Sequence, residues 1–150
     1  TEHLSPLLSL LMDEFTSLHC TLLTLLPPRS LCDFTSHRTF VLINTTMFWT
    51  VAQNYCREHH TDLAMVRNIE ENQMVQNLLP SRDIAWIGLH REGWKWSDGS
   101  DSSLRNWRPD QPLGSTKSCV AADFRDNGLW VTMECNDKSA FICYSGEHIA

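Results

Sequence analysis

The 150-residue sequence predicts an α+β fold in which helices come first and antiparallel strands follow. Apolar residues recur at helical spacing between residues 49 and 79, whereas short β-branched and aromatic runs alternate with turns from residue 84 onward. Four cysteines between residues 56 and 143 indicate a domain stapled by disulfides. Paired cysteines at this density are typical of an oxidising, extracellular compartment.

Composition excludes several classes of function. The net charge of −6 and the pI near 5.5 give no electrostatic footprint for nucleic acid, and no basic stripe marks a membrane surface. No apolar run reaches the roughly 20 residues that a membrane-spanning helix needs. A hydrophobic content of 42% with six tryptophans supplies the core of one domain of ordinary size.

Residues 1–30 are set apart from the domain, which is expected to occupy residues 31–150. The apolar run at residues 18–26 has the length of a signal-peptide core. However, acidic rather than basic residues precede it, and Pro27-Pro28-Arg29 is a poor cleavage site. Two interpretations stay open, a remnant of a secretory leader or a poorly ordered extension.

The first half of the domain shows one strand and two helices. Residues 38–44 are β-branched and apolar, which predicts a strand. Residues 49–59 place apolar side chains on one face of a helix. A second helix begins after Asn68, a good N-cap, with Glu71 three residues later in the capping-box position, and it ends at Pro80.

The second half predicts short strands around one long loop. The expected strands are residues 84–89, 94–96, 119–124, 129–132 and 140–144. Asp126-Asn127-Gly128 predicts a hairpin, because Asn-Gly tolerates the positive φ of a tight turn. Residues 98–118 are rich in Asp, Ser, Pro and Gly and predict a long loop, which in a compact domain is usually functional or disordered.

A series of short motifs runs in order along the domain. They are the run from Phe48 to Cys56, Thr61-Asp62-Leu63-Ala64, Trp86-Ile87-Gly88-Leu89, Trp94-Lys95-Trp96-Ser97-Asp98-Gly99, Asn106-Trp107, Cys119-Val120, Gly128-Leu129-Trp130, Cys135 and Phe141-Ile142-Cys143. With these motifs the chain, from about residue 38 to residue 144, resembles the short form of the C-type lectin-like domain, in the manner of fish lectin-like proteins. That resemblance implies an α+β fold with two helices, small antiparallel sheets, a long loop and disulfide staples.

The resemblance also implies which cysteines pair. Cys56 would join Cys143 and Cys119 would join Cys135, with Cα separations near 5–6 Å in the usual range. For Cys20 and Cys32 we expect no well-formed bridge, since the strand and aromatic residues of the family's long form are missing around Cys20.

In this family, sugar binding usually depends on a calcium ion held by a Glu-Pro-Asn or Gln-Pro-Asp triplet, a Glu before the third core cysteine, and an Asn-Asp pair after a tryptophan. Calcium needs six to eight oxygens. By position this chain has Gln111-Pro112-Leu113, then Lys117, then Val131 and Thr132. Most of the ligands are therefore missing, and we expect no calcium here and no other cofactor.

The loop acids and the tryptophans are candidates for two other types of site. The loop acids Asp98, Asp101, Asp110, Asp123 and Asp126 either form a different cation site or, as is commoner in an acidic domain, are simply solvated. Trp86, Trp94, Trp96 and Trp130 are expected in the core, and Trp107 is expected nearest the loop surface, where a ligand would meet it.

No catalytic motif emerges. His59 and His60 are adjacent on a predicted helix and diverge by about 100°, so they are poorly placed to share a metal ion. HExxH, GxSxG and a glycine-rich phosphate loop are absent from the sequence. The sequence therefore favours a binding module over an enzyme.

We thus expect a secreted or cell-surface recognition module that binds a protein or glycan ligand without calcium at the usual site. The alternative is a carbohydrate-binding lectin that uses a non-standard or calcium-dependent site. Asn44-Thr45-Thr46 is an acceptor for N-linked glycosylation. The candidate ligand-binding residues are Trp107, Asp110, Gln111, Leu113, Lys117, Val131 and Thr132.

Overall fold

The computed structural model describes residues 38–78, 83–114 and 116–146. The predictions for the N-terminal segment, for the division at residue 30, for a Cys20–Cys32 bridge and for the helix end at Pro80 lie outside these residues. Among the residues described, no helix is long and apolar enough to cross a membrane.

Strand β1 covers Thr39–Met47 and leads directly into helix α1, Trp49–His59. The helix has the predicted bounds, because its apolar residues recur on one face. That face buries Trp49, Ala52 and Cys56. The indole N–H of Trp49 donates to the carbonyl of Ile87 at 2.9 Å, which anchors the start of the helix on the sheet.

Helix α2 covers Ile69–Gln76, and Asn68 caps it as predicted. The Asn68 Oδ1 accepts from the backbone N–H of Glu71 at 2.8 Å. The reciprocal half of the predicted capping box is shifted by one residue, since the Glu71 carboxylate accepts from the backbone N–H of Arg67 at 2.8 Å. The reason is the Arg67 guanidinium, which holds that carboxylate through Nε at 3.0 Å.

The remaining strands are β2 Asp62–Leu63, β3 Ile84–His90, β4 Lys95–Trp96, β5 Cys119–Asp123, β6 Leu129–Met133 and β7 Ser139–Ser145. They join β1 in one sheet with the order β1-β7-β3-β5-β6, in which β2 also pairs with β7 and β4 pairs with β3. The pairing of β3 with β7 is parallel, unlike the expected antiparallel sheets, because the long loop and the β5–β6 hairpin separate the two strands in sequence.

The hairpin between β5 and β6 is present, with a longer turn than a two-residue loop. A 3₁₀ turn at Phe124–Asp126 comes first, and Asn127 and Gly128 follow with φ of 53° and 73°. Residue 128 must be glycine for a second reason, since a Cβ there would lie 2.9 Å from Cγ of Gln76.

The core lies on both faces of the sheet, because successive strand residues point to opposite sides. One face packs Trp86, Phe141 and Cys143 against α1, and the other packs Trp96, Trp130 and Tyr144 with α2 and the long loop. The predicted core positions of Trp86, Trp96 and Trp130 are confirmed, while Trp94 is half-buried.

Both predicted disulfides are present. Cys56 of α1 joins Cys143 of β7 with a Cα–Cα distance of 5.4 Å. Cys119 at the start of β5 joins Cys135, just beyond β6, with a Cα–Cα distance of 5.1 Å. The first bridge ties α1 to β7, the strand between β1 and β3, and the second closes the β5–β6 hairpin beside the long loop.

Candidate functional site

The long loop runs along the side of β6 that faces away from β5. The backbone N–H of Trp130 donates to the carbonyl of Asn106 at 2.7 Å, and the N–H of Arg108 donates to the carbonyl of Trp130 at 3.0 Å. These bonds make an isolated parallel bridge between Trp107 and Trp130. The loop therefore supplies hydrogen-bond partners for the backbone of Trp130 at this edge of the sheet, and β6 fixes the position of the loop.

Gln111 continues the same edge with its side chain. Its Oε1 accepts from the backbone N–H of Thr132 at 2.9 Å and from the Thr132 hydroxyl at 2.7 Å. The same hydroxyl accepts from the backbone N–H of Leu113 at 3.0 Å. Thr132 is only 3% exposed, so these bonds are shielded from water. The Gln111–Pro112 peptide bond between the two contacts is cis.

The structure thus brings Gln111, Leu113 and Thr132 into direct contact and places Val131 next to them in a buried position. Lys117 lies half-buried, two residues before the start of β5. At the position of the family's calcium site, the side chains offer one amide oxygen and one hydroxyl. Both oxygens already accept hydrogen bonds, and calcium needs six to eight ligands.

Trp107 is half-buried and packs into a group of tryptophans behind the loop. Its ring meets Trp94 edge-to-face with centroids 4.8 Å apart, and it meets Trp130 in the same way at 5.8 Å. Trp107 lies near the surface, as expected from the sequence, and its indole also packs against the other two tryptophans.

Two arginines hold the acidic residues beside the loop. Arg108 donates to both carboxylate oxygens of the exposed Asp110, at 2.7 and 3.0 Å, and these hydrogen bonds lower the pKa of Asp110. Arg125 donates to both oxygens of the buried Asp123, at 2.8 and 2.7 Å, and lowers the pKa of Asp123. Arg108 also reaches Asp123 at 3.5 Å, which links the two pairs.

The five loop acids do not converge on one point. Within residues 38–78, 83–114 and 116–146, no three His, Cys, Asp or Glu side chains lie close enough to hold a metal ion. Asp98 is used locally, since its Oδ1 accepts from the backbone N–H and the hydroxyl of Ser100 at 2.9 and 2.6 Å.

Sequence reasoning missed Arg91, which braces the loop from the turn after β3. Its guanidinium donates to the carbonyl of Gly114 and, at 3.4 Å, to the carbonyl of Leu113. It also lies over the ring of Trp94, 5.1 Å from the centroid. An arginine in a turn has no local signature for this role, because the two carbonyls that it holds are more than twenty residues away in the sequence.

The outward surface of the loop is apolar at its centre. Leu113 is 42% exposed between the exposed residues Pro112 and Gly114, while the bonds from Thr132 and Arg91 fix the backbone beneath it. A hydrocarbon side chain on a braced backbone suits contact with a ligand surface better than it suits an ion.

Comparison with known proteins agrees with this architecture. The profile of the Lectin C-type domain matches residues 45–145. Asialoglycoprotein receptor 1 of Pongo abelii is 36% identical over an alignment of 106 residues, and the match covers 63% of this chain and 35% of the receptor. Human versican core protein is 30% identical over an alignment of 105 residues, and the match covers 65% of this chain and only 3% of that protein.

Among solved structures, human lithostathine superposes with a TM-score of 0.69 at 25% identity, covering 81% of this chain and all of the other. A calcium-independent type II antifreeze protein superposes with a TM-score of 0.67 at 24% identity, covering 81% of this chain and 95% of the other, which is a likeness of fold alone. The profile match over residues 45–145, together with the two helices, the sheet and the two disulfides of the described residues, shows that this chain belongs to the C-type lectin domain family.

Proposed function

We propose that this domain is a non-enzymatic recognition module that acts outside the cell and binds a protein or glycan ligand without calcium at the family's usual sugar site. The observation that carries the proposal is the engagement of the Gln111 amide oxygen by the N–H and hydroxyl of Thr132. The two disulfides support an extracellular location, because such bridges persist in oxidising compartments.

A calcium ion at this position would have to take the Gln111 oxygen from Thr132. The buried N–H of Thr132 would then lack an acceptor, at a cost of about 1–3 kcal/mol. Leu113 and Val131 supply only hydrocarbon, and the ammonium group of Lys117 adds positive charge. The ion would gain too few ligands to offset these losses.

The ligand face in this proposal is the outer surface of the loop at residues 107–117 together with β6. Leu113 supplies an exposed apolar side chain, and Asp110 and Lys117 are charged residues on either side of it in the sequence. An apolar centre with a polar rim is the usual composition of a protein-binding surface.

The first experiment compares thermal melts of the chain in millimolar calcium and in chelator. Because a ligand that binds only the folded state raises the melting temperature, calcium binding would separate the two curves. We expect superimposable melts, and we expect glycan-array and binding-partner signals that survive chelation. A calcium-dependent rise in melting temperature that Gln111→Ala abolishes would overturn the proposal.

The second experiment restores the missing ligands together, with Leu113→Asp, Lys117→Glu, Val131→Asn and Thr132→Asp. This variant should be less stable in chelator, since Thr132 no longer holds the loop, and it should regain stability when calcium is added. A matched control carries the uncharged Leu113→Asn, Lys117→Gln, Val131→Asn and Thr132→Asn and should not respond. If the wild type responds as strongly as the restored variant, the proposal is wrong.

A second candidate function is a carbohydrate-binding lectin that uses another site. The similarity to a protein named asialoglycoprotein receptor favours it, at 36% identity over 106 residues. Glycan-array signals that vanish in chelator, while Leu113→Asp leaves them unchanged, would favour this second function over the first.

A further inference from the structure

We propose that Asn44 carries an N-linked oligosaccharide, and that this oligosaccharide covers the edge of strand β1 with which no other described strand pairs. The sequence Asn44-Thr45-Thr46 is the only Asn-x-Ser/Thr triplet in the 150 residues. Asn44, Thr45 and Thr46 are all exposed. The inference goes beyond ligand binding and depends only on passage through the secretory route.

The β1–β7 ladder leaves room for the modification. Ile43 pairs with Phe141 and Met47 pairs with Ser139, so β1 advances four residues while β7 advances two. The two additional residues form an irregularity between these pairs, and Asn44 lies within it. The side-chain amide of Asn44 makes no hydrogen bond to any residue that the structure describes. Attachment of a sugar at Nδ2 therefore breaks no contact seen here.

The same residue stands on an edge of the sheet. In the strand order, β1 is terminal and has β7 as its one sheet neighbour among the described residues. Val41 and Phe48, on either side of Asn44 in the sequence, are 37% and 39% exposed. An exposed edge with apolar side chains is a template for pairing with another chain, and a bulky, hydrated glycan blocks such an approach.

The position also keeps the glycan away from the ligand face. Strand β6, which carries Thr132 and the long loop, is at the opposite end of the strand order from β1. Modification at Asn44 therefore shields the β1 edge of the sheet. The outer surface of the loop, at the β6 edge, stays accessible to a ligand.

The transfer itself requires an oligosaccharide linked to a lipid through a diphosphate. The bond from sugar C1 to the phosphate oxygen breaks, and a bond from C1 to Nδ2 of Asn44 forms. The amide nitrogen gives up one proton, and the lipid diphosphate is the leaving group.

The test is to secrete the full chain from eukaryotic cells and to measure its intact mass before and after treatment with a peptide:N-glycosidase. Thr46→Ala removes the acceptor triplet, whereas the matched variant Thr45→Ala keeps it. We expect the enzyme to lower the mass of the wild type and of Thr45→Ala by one oligosaccharide and to leave Thr46→Ala unchanged. A wild type whose mass the enzyme does not change would overturn the site.

The shielding role has a separate readout. Sedimentation of the folded protein should show more self-association after enzymatic removal of the glycan, and Val41→Lys should return the deglycosylated protein to monomer. Equal self-association with and without the glycan would overturn the shielding role, whatever the ligand-binding assays show. Thr46→Ala should bind its ligand as the wild type does, since the two surfaces lie at opposite edges.

Discussion

Thr132 connects the long loop to β6 through one hydroxyl, which donates to Gln111 and accepts from Leu113. Thr132→Val keeps the shape of the side chain and removes both bonds, so the N–H of Leu113 loses its acceptor. We expect the free energy of unfolding to fall by about 1–2 kcal/mol, equally in calcium and in chelator. Urea unfolding measures this change.

Two further variants control for shape and for coupling. Thr132→Ser keeps the hydroxyl and should lose less stability than Thr132→Val. Gln111→Ala should cost less in the Thr132→Val background than in the wild type, because the two residues share one network. Strictly additive losses would contradict the direct bond between them.

Asp123 makes stability depend on pH. Hydrogen bonds from Arg125, and more weakly the charge of Arg108, hold the pKa of Asp123 below its ordinary value of 3.8. The folded state therefore favours the ionised carboxylate. The contribution of the Asp123 carboxylate to the free energy of unfolding is complete above the ordinary pKa. It is lost as the pH falls through the lower pKa of the folded state.

At neutral pH, urea unfolding should give Asp123→Asn a lower free energy of unfolding than the wild type. As the pH falls below about 4, the free energy of unfolding of this variant should decrease less steeply than that of the wild type. Asp137→Asn, a substitution on the exposed surface, serves as the control. Parallel pH profiles for the wild type and Asp123→Asn would contradict the assignment.

At the scale of elements, the long loop is ordered by a few side chains and has little regular secondary structure. Arg91 holds the carbonyls of Leu113 and Gly114 and covers Trp94. Arg91→Ala should raise the rate of hydrogen exchange or proteolysis at residues 112–117 by roughly tenfold, the effect of about one lost charged hydrogen bond. The global melting temperature should change little.

Arg91→Lys separates charge from geometry. Lysine keeps the positive charge near Trp94 but lacks the fork that reaches two carbonyls, so the loop should be only partly protected. If Arg91→Ala leaves the exchange of residues 112–117 unchanged, the loop does not depend on this residue.

Elements that depend on residues close to one another in the sequence were predictable. Helix α1 was predicted to the residue because its apolar spacing is local, and Asn68 was identified as a cap from its position alone. The pairing of Gln111 with Thr132 was not, because the two residues are 21 positions apart and neither carries a pattern that points to the other. The sequence shows which residues stand at the positions of the family's usual calcium ligands, but it does not indicate the hydrogen bonds between Gln111 and Thr132.

At the scale of the whole molecule, the Cys56–Cys143 and Cys119–Cys135 disulfides should contribute unequally to stability. They close sequence separations of 87 and 16 residues. Chain-entropy estimates then give about 4–5 kcal/mol for Cys56–Cys143 and about 3 kcal/mol for Cys119–Cys135.

The paired substitutions Cys56→Ala with Cys143→Ala, and Cys119→Ala with Cys135→Ala, test this order by denaturant unfolding. The first pair should lower the free energy of unfolding more than the second, since it also leaves two fully buried positions underpacked. The opposite order would show that local strain, rather than loop size, decides the contribution of each bridge.

The register of β1 against β7 also has a mechanical consequence. Thr39 lies opposite Ser145, so the chain enters and leaves the described domain side by side. A pull on both ends would peel the ladder open one pair at a time until the tension reached Cys143, where the bridge to Cys56 would take over the load. Every residue between those two cysteines, including the whole long loop and β6, would then carry no tension. Residues 57–142 would therefore stay folded under load, and force-extension traces of the oxidised chain should lack any lengthening from these residues.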